Sequence, residues 1–204
     1  MAGLRERKKR ATRAAIHRAG MELFQTQGFA GTTVDQIADA ADVSRATVFT
    51  YFATKEDIVF GDGPRAVEAL GASLRGTSPE EGPLPAIRAW LRQLTEWMTP
   101  ELPLQLQLAH DVPAVGARRL RLFREVEQMI ADALRANVPA DGELAARLGA
   151  AALVTAFGVA EETAADRMTQ GGPPLDEEEI DRLLDEAVAF AQAGMAALHA
   201  GPRA

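Results

Sequence analysis

Cysteine is absent from the 204 residues, so neither a disulfide framework nor thiol chemistry is available. Aromatic residues make up only 5%, with one Tyr and two Trp. The three histidines, His17, His110 and His199, are far apart, and none stands in a metal-ligand spacing. The adjacent acids Glu161-Glu162 and Glu177-Glu178-Glu179 splay around a helix instead of converging on a reacting atom. No glycine-rich phosphate loop follows a strand, because no stretch alternates as strands do. These absences argue against an enzyme and leave no cofactor to expect. Long hydrophobic runs are also missing: the longest, Leu148 to Ala160, falls short of the ~20 residues of a membrane-spanning helix. The basic start leads into an amphipathic helix, not the apolar stretch of a signal peptide. A cytoplasmic protein with no membrane partner is expected.

Charge is present but unevenly spread. The net charge is -7 from 22 Lys/Arg and 29 Asp/Glu. Residues 1–60 hold nine of the basic and seven of the acidic residues, leaving 13 against 22 for residues 61–204. The basic excess concentrates in Arg5, Arg7, Lys8, Lys9, Arg10 and Arg13, opposed only by Glu6. Such an arm can reach phosphates or a minor groove.

The most informative stretch is Thr32 to Phe52. Val34, Ile37, Ala38 and Ala41 recur at helical intervals, so a first short helix buries one stripe. Thr33 with Gln36 three residues on forms a capping-box pattern. Val43 fills a turn, and Ser44 caps a second helix with Val48, Phe49 and Phe52 expected inward. Arg45, Ala46, Thr47 and Thr50 are left on the open side. Ala38 and Ala41 are small where two helices must cross closely. This is the layout of a helix-turn-helix, whose second helix enters the major groove. Arg45 carries the only long forked donor early in that helix and suits bidentate contact with guanine. Thr47 and Thr50 suit base edges or a thymine methyl. Upstream, Arg5 to Gln27 reads as an amphipathic helix burying Ile16, Ala19, Leu23 and Phe24, ended by Gly28. Downstream, Thr54 caps a new helix with Asp57 at its third position.

From Ala14 to Phe60 the chain resembles the N-terminal domain of the TetR family of bacterial transcriptional regulators. The shared elements stand as Ala19-Gly20-Met21-Glu22-Leu23-Phe24, Gly28-Phe29, Thr32-Thr33-Val34, Ile37-Ala38, Val43-Ser44-Arg45, Tyr51-Phe52 and Lys55-Glu56. Beyond residue 60 or so, the likeness rests on helix order and length. The resemblance implies phosphate contacts at Thr33, Ser44, Tyr51 and Lys55, whose hydroxyl, phenol and ammonium groups suit that task. Asp42 stands where the family often has glycine, and it tolerates left-handed backbone better than most residues. Gly61-Asp62-Gly63-Pro64 breaks the chain where the family's fourth helix usually runs on; a helix restarting with Pro64 in its first turn is expected.

The remaining segments are helical: Arg65–Arg75, Pro85–Thr99, Pro103–His110, Ala114–Arg135, Gly142–Gln170 and Asp176–His199. The expected architecture is all-α. A three-helix DNA-binding domain over residues 1–60 precedes a helical effector-binding and dimerisation domain over 61–204. Apolar residues on several sides of the last two helices imply burial on more than one face. Leu148, Ala152, Thr155 and Val159 on the first, with Ile180, Leu184, Ala187, Val188 and Ala191 on the second, form the candidate homodimer surface. The resemblance implies that these helices pair across a two-fold axis. It also implies a cavity for a small-molecule effector, for which Trp90, Leu94, Trp97, Met98, Leu106, His110, Phe123 and Phe157 are candidate wall residues. Their apolar character suggests a hydrophobic or amphipathic effector. The function so implied is a dimeric repressor, released from a palindromic double-stranded DNA operator by that effector. An enzyme is the competing class and an all-helical interaction adaptor a third, and salt-dependent DNA binding separates the adaptor from a regulator.

Overall fold

The computed structural model describes residues 2–78, 80–95, 99–136, 142–173 and 175–199. Within these helices nothing is described of the side chains of Ala2, Leu94, Thr95, Glu177, Leu184, Met195, Leu198 and His199. Every regular element among the described residues is an α-helix: α1 (Ala2–Gly31), α2 (Val34–Ala40), α3 (Arg45–Tyr51), α4 (Lys55–Val59), α5 (Gly63–Arg75), α6 (Leu84–Thr95), α7 (Leu102–Asp111), α8 (Pro113–Arg135), α9 (Glu143–Thr169) and α10 (Glu177–His199). The chain forms two compact units. One holds Met1–Pro64 together with Leu104–Arg119, and the other holds Arg65–Pro103 with Leu120–Ala204. A stretch well downstream of residue 60 therefore belongs with the N-terminal helices.

In the N-terminal unit, Ile16, Phe24, Phe29, Ile37, Val48, Phe52, Ile58 and Val59 share one core with Leu108 and Val115. Burying side chains of this size contributes roughly 1.5–3 kcal/mol each. Gly20 lets α1 and α4 approach: a Cβ there would lie 2.6 Å from Cγ2 of Ile58. Gly28, at φ 76, interrupts the helical backbone of α1 so that Phe29 can turn back onto Phe24, with ring centroids 5.0 Å apart. The break at residues 61–64 follows the expected form. Helix α4 stops at Val59, and α5 begins at Gly63 with Pro64 in its first turn.

In the second unit, Leu70, Ile87, Leu91, Ile130 and Leu153 are fully buried. Ala145, Ala146, Gly149 and Ala150 give α9 a small-residue face that packs closely. By length and composition α9 could cross a membrane, contrary to the shorter apolar run read from the sequence; ten of its residues are buried in the folded unit. Ion pairs tie α10 to its neighbours. Arg92 holds Asp181 through two bonds of 2.5 and 2.8 Å, Arg88 pairs with Asp185, and Arg167 grips both oxygens of Glu179 at 2.7 and 2.8 Å. The Asp176 carboxylate accepts from the Glu179 amide and Glu179 accepts from the Asp176 amide, a capping box at the acidic start of α10. The Arg167 guanidinium and the Asp176 amide hold the Glu179 carboxyl down to about 2.

Candidate nucleic-acid interface

Three local devices fix the geometry of α2 and α3. Thr33 accepts from the Gln36 amide at 3.2 Å while the Gln36 side chain accepts from the Thr33 amide at 2.8 Å, closing the expected capping box. Asp42 adopts φ 52 in the connecting turn, the left-handed conformation for which it is suited. Ser44 accepts from the Thr47 amide at 3.0 Å and starts α3. Val48 then buries fully, and Phe52 seals the far end.

These constraints decide which side chains face outward. Arg45, Ala46 and Thr50 are exposed, with Thr47 half-buried beside them. Phe49 corrects the expectation: it is 45% exposed and belongs to the same open face. Adjacent residues point about 100° apart on a helix, and on α3 the packed core takes Val48 and leaves Phe49 outside. Arg45 reaches back to Asp35 on α2 at 2.8 Å, and its guanidinium carbon lies 5.6 Å from the centre of the Phe49 ring. Thr50 donates to the Ala46 carbonyl at 2.9 Å, which leaves its methyl to vary the surface. Thr33 and Ser44 are exposed in addition to capping, and Tyr51 is half-buried.

Two basic residues have structural duties. Lys55 donates to the carbonyls of Phe29 and Thr32 at 2.6 and 2.9 Å and sits over the Phe29 ring at 4.1 Å. It thus satisfies carbonyls at and just after the end of α1, beyond the Gly28 break. Arg13 leaves the basic arm altogether: it is buried, donates to the carbonyls of Tyr51 and Gly61, pairs with Asp62 at 2.7 Å and lies 4.2 Å from the Phe52 ring centre. Arg5, Arg7, Lys8, Lys9 and Arg10 remain exposed on the opening turns of α1. At the base of the unit, the buried Asp57 carboxylate accepts from Arg118 at 2.5 Å and from the Thr54 amide and hydroxyl at 3.0 and 2.9 Å. Burial opposes its ionisation, yet the Arg118 and Thr54 bonds outweigh this and hold it below the ordinary carboxylate value.

This frame matches a known one. Residues 16–60 fit the model for bacterial regulatory proteins of the tetR family. Along 148 residues the chain is 33% identical to the HTH-type transcriptional regulator TcmR of Streptomyces glaucescens, covering 68% of this chain and 66% of TcmR. The chain belongs to the TetR family.

Further relatives extend the comparison. The HTH-type transcriptional regulator RutR of Escherichia coli K12 is 30% identical over 121 residues, 59% of this chain and 50% of RutR. The chain thus spans about two thirds of TcmR and half of RutR. Among solved structures, Thermus thermophilus FadR, a TetR-family repressor in complex with lauroyl-CoA, matches with TM-score 0.53 and 25% identity over 94% of this chain and 99% of its own. A TetR regulator from Haloarcula marismortui matches in fold with TM-score 0.59 at 22% identity, over 89% of this chain and 97% of that one. These relatives are regulators and not enzymes. Among the described residues no group of His, Cys, Asp and Glu could hold a metal ion.

The C-terminal unit carries a small void of about 30 Å³, walled by Trp90, Leu91, Phe123, Val126, Ile130, Leu153, Val154 and Phe157. Its lining is wholly apolar, since the Trp90 indole N–H is spent on the Ala66 carbonyl at 2.8 Å. Phe123 and Phe157 stand 6.2 Å apart and tilted. Of the wall residues expected from sequence, Trp90, Phe123 and Phe157 meet here. Leu106 and His110 fall in the N-terminal unit, where His110 is exposed; Trp97, Met98 and the Leu94 side chain lie outside the described residues. The aliphatic walls Val126, Ile130, Leu153 and Val154 were missed, although they follow helical spacing from Phe123 and Phe157.

The last two helices expose apolar side chains among the described residues. Leu148, Thr155 and Val159 of the expected surface are exposed on α9, joined by Leu144. On α10 the expected stripe turns inward: Ile180, Ala187 and Ala191 are buried in the chain's own core and Val188 is half-buried, as is Ala152 on α9. The stripe was broader than one face, and its inner half packs in the monomer. Phe190, 72% exposed, takes the outer face instead. The Leu184 side chain lies outside the described residues.

Proposed function

We propose that the chain is a dimeric transcriptional repressor that binds a palindromic operator and is released by a small hydrophobic or amphipathic effector in the cytoplasm. Residues 1–60 serve as the DNA-binding domain, with Leu104–Arg119 in the same compact unit, and the rest of 61–204 binds the effector and dimerises. One observation carries the reading: α3 rests on a complete buried core yet leaves Arg45, Ala46, Phe49 and Thr50 open along one face. A helix anchored by one side and polar, forked and apolar on the other suits base edges in a major groove. Thr33, Ser44, Thr47 and Tyr51, flanking that face, are proposed for phosphates and base edges, and the exposed basic turns of α1 for the backbone beside them. Lys55 is proposed to act on DNA through the end of α1 that it holds.

A single recognition helix has little affinity, and two-fold pairing doubles its contacts. Exposed Leu144, Leu148, Val159 and Phe190 are apolar surface that a second copy would cover. FadR is described in complex with lauroyl-CoA. For this chain, the apolar void supports an effector with a hydrophobic portion. At about 30 Å³ the void is far smaller than the roughly 300–1,000 Å³ of a ligand pocket. An effector seated there would displace its walls, and release would follow if it binds the widened state better than the closed one.

The test is a salt titration of binding to duplexes selected from a random library. Log affinity should fall steeply and linearly with log salt, and the selected sites should be palindromic. Salt-insensitive binding, or enrichment of no duplex, contradicts the reading.

A further inference from the structure

Asp35 lies in the first turn of α2, exposed, one residue from the Gln36 cap. Its carboxylate is not used in that cap; it holds Nη1 of Arg45 at 2.8 Å. Both side chains are 59% exposed, so the pair contributes little to folding stability. What it does is geometric. It ties the forked donor at the start of α3 to the neighbouring helix, while Phe49, one turn further along α3, backs the guanidinium with its ring. An acid facing a phosphate backbone lowers affinity for every duplex, so a carboxylate here is a general cost unless it orders something.

Resting on the DNA-binding reading above, we infer that Asp35, Arg45 and Phe49 form one preassembled base-reading unit. Arg45 donates to O6 and N7 of a guanine, and Phe49 packs on the C5-methyl of an adjacent thymine. Asp35 is a positioning residue that touches no base: it fixes the fork before DNA arrives, so less rotamer freedom is lost on binding. Excluding water at the interface strengthens the Asp35–Arg45 attraction.

Loss of Asp35 then has two opposite effects. Repulsion of phosphates falls, so binding to arbitrary duplexes strengthens. The arginine loses its fixed direction, so discrimination at one base pair weakens. A merely structural or charge role moves only the first, or lowers both together.

The full-length protein is used to select duplexes from a random library, and the enriched duplex is resynthesised with 7-deazaguanine for guanine or uracil for thymine. For the wild type, removing N7 at the read guanine should weaken binding several-fold, because one of the two bonds of a bidentate contact worth about 5- to 150-fold is lost. Removing the thymine methyl should cost several-fold. Asp35→Ala should bind random duplex at least as tightly as wild type, yet show a much smaller 7-deazaguanine penalty. Asp35→Glu should restore the penalty. Phe49→Ala should be indifferent to uracil. An Asp35→Ala variant with unchanged sequence preference and unchanged 7-deazaguanine penalty overturns the inference alone. So does a wild type insensitive to uracil. Enrichment of nothing by the wild type overturns the DNA-binding reading as well.

Discussion

Arg118→Ala is expected to loosen the DNA-reading unit without touching its DNA face. Arg118 donates to Asp57 at 2.5 Å, with side-chain exposures of 16% and 10%. Removing it leaves Asp57 buried with only the two Thr54 bonds. Stranding a buried charge typically costs 3–5 kcal/mol. The surviving bonds place this case at the lower end, about 3 kcal/mol, or roughly 150-fold in the opening equilibrium. Because the chain has two units, one global transition is a poor measure. Hydrogen exchange read on peptides from α1 to α4 isolates the relevant unit and should speed up by about that factor at pH 7.

The pH dependence has a defined sign. In the wild type Asp57 is held below its ordinary value, so its contribution is present at neutral pH and lost as pH falls through the folded-state value. Without Arg118, burial pushes Asp57 up, and the variant takes its proton at a higher pH than the wild type. The deficit should be largest at neutral pH and should shrink as acidification protonates Asp57, first in the variant and then in the wild type. Exchange within threefold of wild type at pH 7, or a deficit independent of pH, refutes the reasoning.

Other expectations follow from the same geometry. Lys55→Met should destabilise the N-terminal unit by about 2–3 kcal/mol, since two charge-assisted bonds to Phe29 and Thr32 are lost; a variant of unchanged stability but weaker DNA binding would return Lys55 to a direct phosphate role. Phe190→Glu combined with Leu148→Glu should yield monomers in sedimentation, and an unchanged dimer moves the interface elsewhere. Leu153→Ala should cost about 2–5 kcal/mol in thermal unfolding and enlarge the apolar void, letting small apolar probes raise the variant's Tm more than the wild type's.

The local part of this molecule was legible in the sequence because its signals are local. Thr33 with Gln36, Ser44, Thr54 with Asp57, and Pro64 after Gly63 each act within a few residues, and each does what its spacing predicts. Long-range partners were not legible. Arg13 reads as one cation among six in a basic run, yet its partners at Tyr51 and Gly61 are 38 and 48 residues away. The Arg118–Asp57 pair spans 61 residues and left no local mark. The resemblance leads His110 and Leu106 to be expected at the cavity wall, whereas both fall in the N-terminal unit. Where two apolar residues are adjacent, as Val48 and Phe49 are, only the packed core decides which is buried. On α10 a broad apolar stripe hid the difference between the inner face and the face that carries Phe190.

The central claim is that two copies of α3, carried by a two-fold dimer, occupy successive major grooves of one duplex. A hydroxyl-radical footprint on the duplex enriched by the wild-type protein tests this most directly. Two symmetric protections one helical turn apart (about 34 Å, or a multiple of it) are predicted, both lost with Arg45→Ala. A single asymmetric protection from a monomer, or one that survives Arg45→Ala, would contradict the account.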